Sequence, residues 1–388
     1  MENSKTEETS PFEYIETPES LKKLIREVKS LKSIALDTEA DSFHHYQAKV
    51  CLIQLSFEDK TYIVDPLAQI DILSLLDALA NKEILIHDAG YDLRLLNADF
   101  GFRPKNGVFD TKLAAALAGM EKVGLSDVLH HVTGLQVKKH NQRANWSQRP
   151  LPLHLLKYAA EDTASLMQIK DHLTERLVQL GRIDWHTESC QAAVEAAYAP
   201  KEPTEKDNEW RIKGAGTLSS KEMTFLREIW YWREKIAQKT NIAPFMICRN
   251  EDMIQLAEWA AKKKKNIEPD KKLPVRVRSR HLDTLITALQ TAHAVQPDQR
   301  PGPRKSDPSK RLSETTRKAV DKLKSECEKI AHVHNLPLNL IASRSALTRI
   351  VVGEVNTIDE IRRKKILLNW QTDLILPAVQ KVLERPSV

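Results

Sequence analysis

The sequence predicts a mixed α/β domain followed by an all-helical C-terminal half, and three observations support this. Short apolar runs fill residues 33–66 and then alternate with helical patterns to about residue 180, an order typical of an α/β domain with a mixed sheet. From Leu218 onward the apolar residues keep helical spacing alone. The charge also divides, because residues 1–200 carry 22 Lys and Arg against 29 Asp and Glu, whereas the rest is strongly basic.

The elements of the α/β part follow from short runs. KSIALDTE, KVCLIQLSF and KTYIVDP read as three strands, with a turn at Glu58 and Asp59 between the last two. DILSLLDALA has helical spacing and EILIH reads as another buried strand. HDAGYDLRLLNADF is predicted as a helix, and GVFDTKLAAALAG as a strand end that runs into a helix. This α/β domain is expected to span residues 1–185.

The C-terminal half is predicted to be a helical unit that occurs twice. Apolar periodicity fades over residues 186–217, which are expected to form a linker. A capping-box pattern from Ser219 to Glu222 then opens the first helical domain, 218–293. The proline-rich stretch 294–312 is a second expected linker. NIAPFMICRNEDMIQLA and NLPLNLIASRSALTRIV align well enough to predict an internal repeat, so that 313–388 forms the second helical domain.

Composition excludes several classes of protein. No apolar segment is long enough to span a bilayer, and the polar, acidic N-terminus is unlike a signal peptide. Four scattered cysteines without a CxxC pair argue against disulfides and structural zinc and favour a reducing, cytoplasmic location. The sequence lacks GxGxxG, GxxxxGK[ST] and HExxH, so no nucleotide cofactor is expected. Without a spanning apolar segment, no membrane is expected as a partner.

The acidic residues at strand and helix positions point to a metal site. Asp37 and Glu39 follow a buried strand and project from the same face, where they repel each other. Asp92 lies on the apolar stripe of one predicted helix, and Tyr158 and Asp162, four residues apart, share the face of another. Buried carboxylates need a counter-ion, and oxygen ligands suit Mg²⁺ or Mn²⁺. Two such ions about 3.5–4 Å apart serve in-line attack on a phosphodiester.

Other readings exist for each of these residues. A DxE pair is weak evidence by itself, Asp88 rivals Asp92, and a lone tyrosine is more often part of a core. Gln54 in the CLIQLSF strand could face the substrate or be a structural hydrogen-bonding residue. Trp146 and Arg149 precede the Tyr158 helix and could stack on a base and bind a phosphate, or simply pack their loop.

The motif set resembles that of a known family. Asp37-x-Glu39, HDAGYD with Asp92, and Tyr158-x-x-x-Asp162 resemble the three motifs of the DEDDy 3′→5′ exonucleases. VCLIQLSF, DTKLAAALAG, GLSDVLHHVTG and NWSQRPLPLHLLKYAAED are similar to ribonuclease D. LREIWYWREKIAQKTNIAPF resembles a helicase-and-RNase-D C-terminal (HRDC) domain, and the second helical segment resembles one more faintly. The resemblance covers nearly the whole chain.

This resemblance implies a ribonuclease H-like (DnaQ-like) exonuclease domain followed by two HRDC-type domains. It implies hydrolysis of RNA from the 3′ end to nucleoside 5′-monophosphates, with tRNA precursors among the substrates. By motif position, Asp37, Glu39, Asp92 and Asp162 would ligate two Mg²⁺ or Mn²⁺ ions. Tyr158 would orient the attacking water, and His87 would support the site or the core without binding the metal.

Two alternatives stay open. The same metal site would serve a 3′→5′ DNA exonuclease, because no motif here reports on the ribose 2′-OH. A nucleic-acid-binding scaffold without activity is the other, although the intact carboxylates argue against it. The basic stretches 262–265, 271–280 and 361–365 are expected either to be solvated or to contact phosphates.

Overall fold

The computed structural model describes residues 12–135, 141–200, 208–263, 280–302, 312–353, 355 and 357–383. These residues form two compact units. The first contains the described parts of Met1–Ala40, Val50–Ala199 and Leu312–Val388. The second contains the described parts of Asp41–Lys49 and Pro200–Arg311. None of the described helices is long and apolar enough to cross a bilayer.

A mixed six-stranded sheet organises the first unit. The strands are β1 (Phe12–Ile15), β2 (Ser33–Ala40), β3 (Val50–Phe57), β4 (Lys60–Val64), β5 (Glu83–Ile86) and β6 (Val108–Asp110). Their order is β1-β4-β3-β2-β5-β6, with β3 antiparallel to both β2 and β4 and the other pairs parallel. This confirms the predicted α/β class and the strands predicted between residues 33 and 110. Only β1 was missed, because it is short and most of its residues are only half-buried.

Helices cover both faces of this sheet. They are α1 (Pro18–Ser30), α2 (Ile72–Ala80), α3 (Gly90–Phe100), α4 (Thr111–Leu117), α5 (Leu125–Thr133), α6 (Leu153–Ala164), α7 (Leu166–Gln179) and α8 (Ile183–Tyr198). All eight residues of β3 are buried, as expected for a strand that is covered on both faces. Helix α6 packs across β2, β3 and β4, which places its inner face over the acidic end of β2.

Helix α8 corrects the predicted linker. Residues 183–198 form a regular helix that packs on α3, α4 and β6. The prediction of a linker over residues 186–217 is therefore wrong for its first part, residues 186–198. The buried residues of α8 are His186, Ser189, Cys190 and Ala197. These side chains are small or polar, which is why the helix shows little apolar periodicity in the sequence. Trp210 and Ala215, further along, belong to the core of the second unit.

The C-terminal helices of the first unit pack on α8. They are α13 (Glu314–His334), α14 (Leu338–Ile341), α15 (Arg344–Val352), α16 (Ile358–Arg363) and α17 (Asn369–Leu383). Trp370 stacks on Trp185 of α8 with ring centroids 4.8 Å apart. The Glu188 carboxylate accepts hydrogen bonds from the backbone N–H groups of Asn369 and Trp370 at the start of α17. Arg182 donates from one nitrogen to the Leu117 carbonyl and from another to that of His334. The C-terminal helices are thus fixed to the α/β domain.

The second unit repeats the arrangement of those helices. It contains α9 (Ser220–Thr240), α10 (Pro244–Ile247), α11 (Asn250–Ala261) and α12 (Leu282–Ala294). Helices α9 and α13 each have 21 residues, begin at a serine N-cap and end at an asparagine with left-handed backbone. Each is followed by a four-residue helix. The layout agrees with the predicted internal repeat, while the exact domain boundaries stay predictions.

Candidate active site

The acidic end of β2 lies beneath helix α6. Asp37 and Glu39 occupy alternate positions of the strand and therefore point to one face. Asp162 approaches from α6, whose packing on β2 sets its position. Among the described residues, these three side chains can each offer a carboxylate oxygen, and the three oxygens lie within 4.8 Å of one another. The structure thus brings two of the three predicted acidic motifs into one cluster.

The fourth predicted carboxylate, Asp92, lies beside this cluster but outside that group of three. It is buried in the first turn of α3, and its Oδ1 accepts a hydrogen bond of 2.5 Å from the hydroxyl of Thr38. Its negative charge raises the pKa of Asp37, Glu39 and Asp162, so it acts electrostatically on all three. The rival Asp88 has a 64% exposed side chain and pairs with Lys112, so Asp92 is the buried acid of this segment.

Burial and mutual repulsion make the cluster unfavourable without a cation. Burial, followed by the charges of Asp92, Asp162 and Glu39, raises the pKa of Asp37 well above its usual value. Burial and the charges of Asp162 and Asp92 raise the pKa of Glu39 to about 9. Burial also raises the pKa of Asp162 to about 7 and that of Asp92 to about 6. Four oxygen-donating acids that resist ionisation together fit a hard divalent cation, which would supply the missing positive charge.

Tyr158 lies at the edge of the cluster, one helical turn before Asp162. Its side chain is largely buried, and its ring stacks on Trp146 with centroids 6.1 Å apart. Burial, then the charges of Asp162 and Glu39, raise the pKa of its phenol. The hydroxyl therefore stays protonated at neutral pH and can donate a hydrogen bond, but it cannot act as a base.

The structure corrects three predicted substrate contacts. Trp146 is fully buried beneath Tyr158 and cannot stack on a base. Arg149 is committed to the protein: its Nε and one terminal nitrogen bind the two carboxylate oxygens of Asp65 at 2.6 and 2.7 Å. The other terminal nitrogen donates to the carbonyl of Trp146, so no free group is left for a phosphate. Gln54 is fully buried directly opposite Asp37 and has no surface for a substrate.

His87 was expected to support the site or the core without binding the metal, and its side chain contacts the start of α4. Its Nδ1 is 2.9 Å from the hydroxyl of Thr111, and burial lowers its pKa. The imidazole is therefore neutral at physiological pH and held by a hydrogen bond.

Asp110 is a supporting residue that the sequence analysis missed. Its carboxylate caps α4 by accepting from the backbone N–H groups of Lys112 and Leu113. It also accepts from the N–H groups of Asp88 and Ala89, in the turn before α3. One buried side chain thus connects two loops at the site. The available signal was an aspartate between a strand and a helix in VFDTK, which is a common N-cap pattern.

Asp37, Glu39, Asp162 and Tyr158 line a cleft of about 380 Å³. Its remaining wall includes Lys112, Ser126 and Gln142. No sequence motif singled out these three residues, because their functional groups reach the cleft only through the packing of α4, α5 and the loop before α6. They supply one cation, one hydroxyl and one amide beside the acidic cluster.

Comparison with known proteins matches both parts of the chain. A 3′-5′ exonuclease family model matches residues 12–178, and an HRDC domain model matches residues 222–288. Ribonuclease D of Gluconacetobacter diazotrophicus is 30% identical over 63% of this chain and 63% of its own length. Protein RRP6-like 2 of Arabidopsis thaliana is 28% identical over 65% of this chain but only 30% of its own length. This chain thus spans less than two thirds of either relative. Ribonuclease D of a Shewanella species is 26% identical over 86% of this chain and 85% of its own length.

Solved structures share the fold over nearly the whole chain. A protein from Bifidobacterium adolescentis matches with a TM-score of 0.82 at 21% identity, covering 97% of both chains. Escherichia coli RNase D, described as an exoribonuclease involved in structured RNA processing, matches with a TM-score of 0.66 at 22% identity, covering 96% of this chain and 98% of its own. At these identities the comparisons support the fold.

Proposed function

We propose that this chain is a 3′-5′ exonuclease similar to ribonuclease D, which removes nucleotides from the 3′ end of RNA as nucleoside 5′-monophosphates. The observation that carries this proposal is the cluster of Asp37, Glu39 and Asp162 in one cleft, with the buried Asp92 close enough to raise their pKa values. Such a set of oxygen donors on β2, α3 and α6 has little structural value, since buried like charges destabilise a fold.

The four carboxylates would hold divalent cations, which we propose to be two Mg²⁺ or Mn²⁺ ions. The donor set fits: it contains only oxygen atoms, and three of the acids converge within 4.8 Å. When bound, the ions would activate water and stabilise the charge that develops on the phosphodiester and the leaving 3′ oxygen.

The residues of the chain then have separate roles. The protonated phenol of Tyr158 would donate a hydrogen bond that orients the attacking water. The hydroxyl of Thr38 holds the carboxylate of Asp92 in one orientation. Asp110 fixes the turn that leads into α3, the helix that carries Asp92.

We further propose that tRNA precursors and other structured RNAs with 3′ extensions are the substrates and that the chain acts in the cytoplasm. We also propose that residues 313–388 form a second HRDC-like domain. Of the basic stretches, residues 264–265 and 271–279 lie outside the described residues. In 361–365, Arg362 pairs with Asp373 and Arg363 with Glu360, but all of these groups are at the surface, where such pairs are weak.

The proposal is tested with 5′-labelled RNA and its DNA analogue, each with a short 3′ overhang, incubated with Mg²⁺ or with EDTA. We expect a metal-dependent ladder that shortens from the 3′ end on RNA. Asp162→Asn should abolish the ladder while RNA binding is largely retained, whereas Asp171→Asn, at an exposed position of α7, should be active. Equal ladders on DNA would indicate a general exonuclease. Binding without a ladder on either substrate would indicate an inactive scaffold, and full activity of Asp162→Asn would refute the site assignment.

A further inference from the structure

A second, larger groove adjoins the catalytic cleft within the first unit. Its volume is about 1140 Å³, and its walls come from α3, α4 and α8 on one side and from the corner between α13 and α14 on the other. Asp88 and Lys112 line both the groove and the catalytic cleft, so the two spaces meet at this ion pair. The groove exists only because the C-terminal helices are docked on the α/β domain.

The side of the groove nearest the cleft carries two cations. Arg94 is exposed and makes no hydrogen bond or ion pair with any other residue in the described part of the chain. Its guanidinium lies over the turn before Asp92, since one terminal nitrogen is 3.3 Å from where a Cβ on Gly90 would be. The ammonium of Lys112 is 2.5 Å from Asp88, but both side chains are well exposed. Such a surface pair is weak, so a phosphate can replace the carboxylate.

The lining also carries three acidic residues, Asp88, Asp110 and Glu121, so contact with a phosphate would be local to Arg94 and Lys112. The Asp110 carboxylate is buried and already accepts four backbone N–H groups. Asp88 is the partner of Lys112. Glu121 is then the exposed acidic residue of the lining that lacks a partner among the described residues.

The opposite wall offers groups that suit nucleobases. Asn339 presents an exposed amide and Leu340 an apolar side chain on this wall, and Met120, just after α4, lies on the facing wall. The wall is held in place: Asn335 donates a hydrogen bond of 3.1 Å to the carbonyl of Gly119, across the docking contact. Amide groups can bind base edges, and apolar side chains can contact base faces.

We propose that this groove binds the single-stranded RNA segment that leads in the 5′ direction from the nucleotide in the catalytic cleft. Lys112 and Arg94 contact successive phosphates, and the corner between α13 and α14 contacts the bases. The inference rests on the proposed function, because a strand whose 3′ end lies at the carboxylates must leave the cleft through an opening. The opening at Lys112 leads directly into a groove that contains Arg94, which has no partner among the described residues.

The test compares RNA binding by full-length variants in an Asp162→Asn background with Mg²⁺. Fluorescence anisotropy is measured on single-stranded RNAs of two to ten nucleotides. We expect Arg94→Gln to weaken binding of the longer RNAs about tenfold, the loss expected for one charge-assisted contact. The slope of log K against log salt should fall by about 0.7, the value for one phosphate contact on a single strand. Dinucleotide binding should be unchanged, and Arg94→Lys should restore part of the loss.

The matched control is Lys22→Gln, which removes an exposed cation from a different groove, between α1 and α2. If Arg94→Gln and Lys22→Gln bind the longer RNAs equally well, the groove assignment is wrong, even when the unmodified chain shortens RNA from the 3′ end. If the Arg94 effect depends on RNA length as expected but the unmodified chain hydrolyses no RNA, the groove assignment stands and the proposed function fails.

Discussion

The raised pKa values of the acidic cluster predict that the metal-free protein loses stability as the pH rises. Glu39 has the clearest shift, from 4.5 to about 9, because of burial and the charges of Asp162 and Asp92. Between these two pH values the folded protein keeps a proton that the unfolded chain has released. The contribution of Glu39 to the free energy of unfolding is therefore fully present below about pH 4.5 and is lost as the pH rises through about 9.

The size of the effect follows from the linkage relation. One proton bound by the folded but not the unfolded state changes the free energy of unfolding by about 1.4 kcal/mol per pH unit. Between pH 5.5 and 8.0, Glu39 alone would therefore lower the free energy of unfolding of the first unit by up to about 3 kcal/mol. For a domain of this size that corresponds to a fall in Tm of about 6–12 °C. The raised pKa values of Asp162, about 7, and Asp92, about 6, add a loss in the same direction.

The assay is thermal unfolding in EDTA across this pH range, repeated with Mg²⁺. We expect Mg²⁺ to raise Tm much more at pH 8.0 than at pH 5.5, where the acids are protonated and bind the cation weakly. Glu39→Gln should flatten the pH dependence in EDTA, and the control Glu175→Gln, at an exposed position of α7, should not. A flat profile for the unmodified protein, or identical profiles for the two variants, would refute the electrostatic reasoning.

Three further substitutions test the supporting contacts. Thr38→Val should lower the affinity for Mg²⁺ about 10- to 100-fold, because Asp92 loses its orienting hydrogen bond. The affinity is measured from the metal dependence of RNA cleavage. Thr38→Ser keeps the hydroxyl and should retain most of the affinity. Arg149→Ala should reduce the free energy of unfolding by about 3–5 kcal/mol, since the buried carboxylate of Asp65 loses its cationic partner. A change below about 1 kcal/mol in urea unfolding would contradict this. Trp370→Ala should reduce the free energy of unfolding by about 3–5 kcal/mol and make the C-terminal helices more sensitive to limited proteolysis. Unchanged protease resistance would show that the stack on α8 is dispensable.

The sequence predicts most of the elements whose burial is expressed in large apolar side chains, although helix α1, with buried Leu21, Leu24 and Val28, was missed. Strands β2 to β6 and helices α2 to α4 follow apolar runs of the proper period. Helix α8 escapes detection because its buried face is formed by histidine, serine, cysteine and alanine. Prediction of a helix from the sequence depends on large apolar residues at helical spacing. In α8, small side chains pack against α3 and β6 instead.

The candidate site divides in a similar way. Asp37, Glu39 and Asp162 can be predicted because alternation on a strand and a four-residue helical step fix their directions locally. The roles of Trp146 and Arg149 depend on contacts with residues far away in the chain, namely Tyr158 and Asp65. A tryptophan and an arginine in a loop are compatible with either packing or binding, and only the three-dimensional contacts distinguish the two.

The stack of Trp185 on Trp370 joins two helices that are separated along the chain by the larger segment of the second unit, Pro200–Arg311. During synthesis, α8 emerges from the ribosome well before α17, so its tryptophan face stays uncovered while the intervening helices are made and fold. The nascent protein therefore passes through a stage with an unsatisfied apolar surface, which chaperones recognise. A chain stopped after residue 311 should bind a hydrophobic dye that the finished protein does not bind, and equal dye binding by both would contradict this order of assembly.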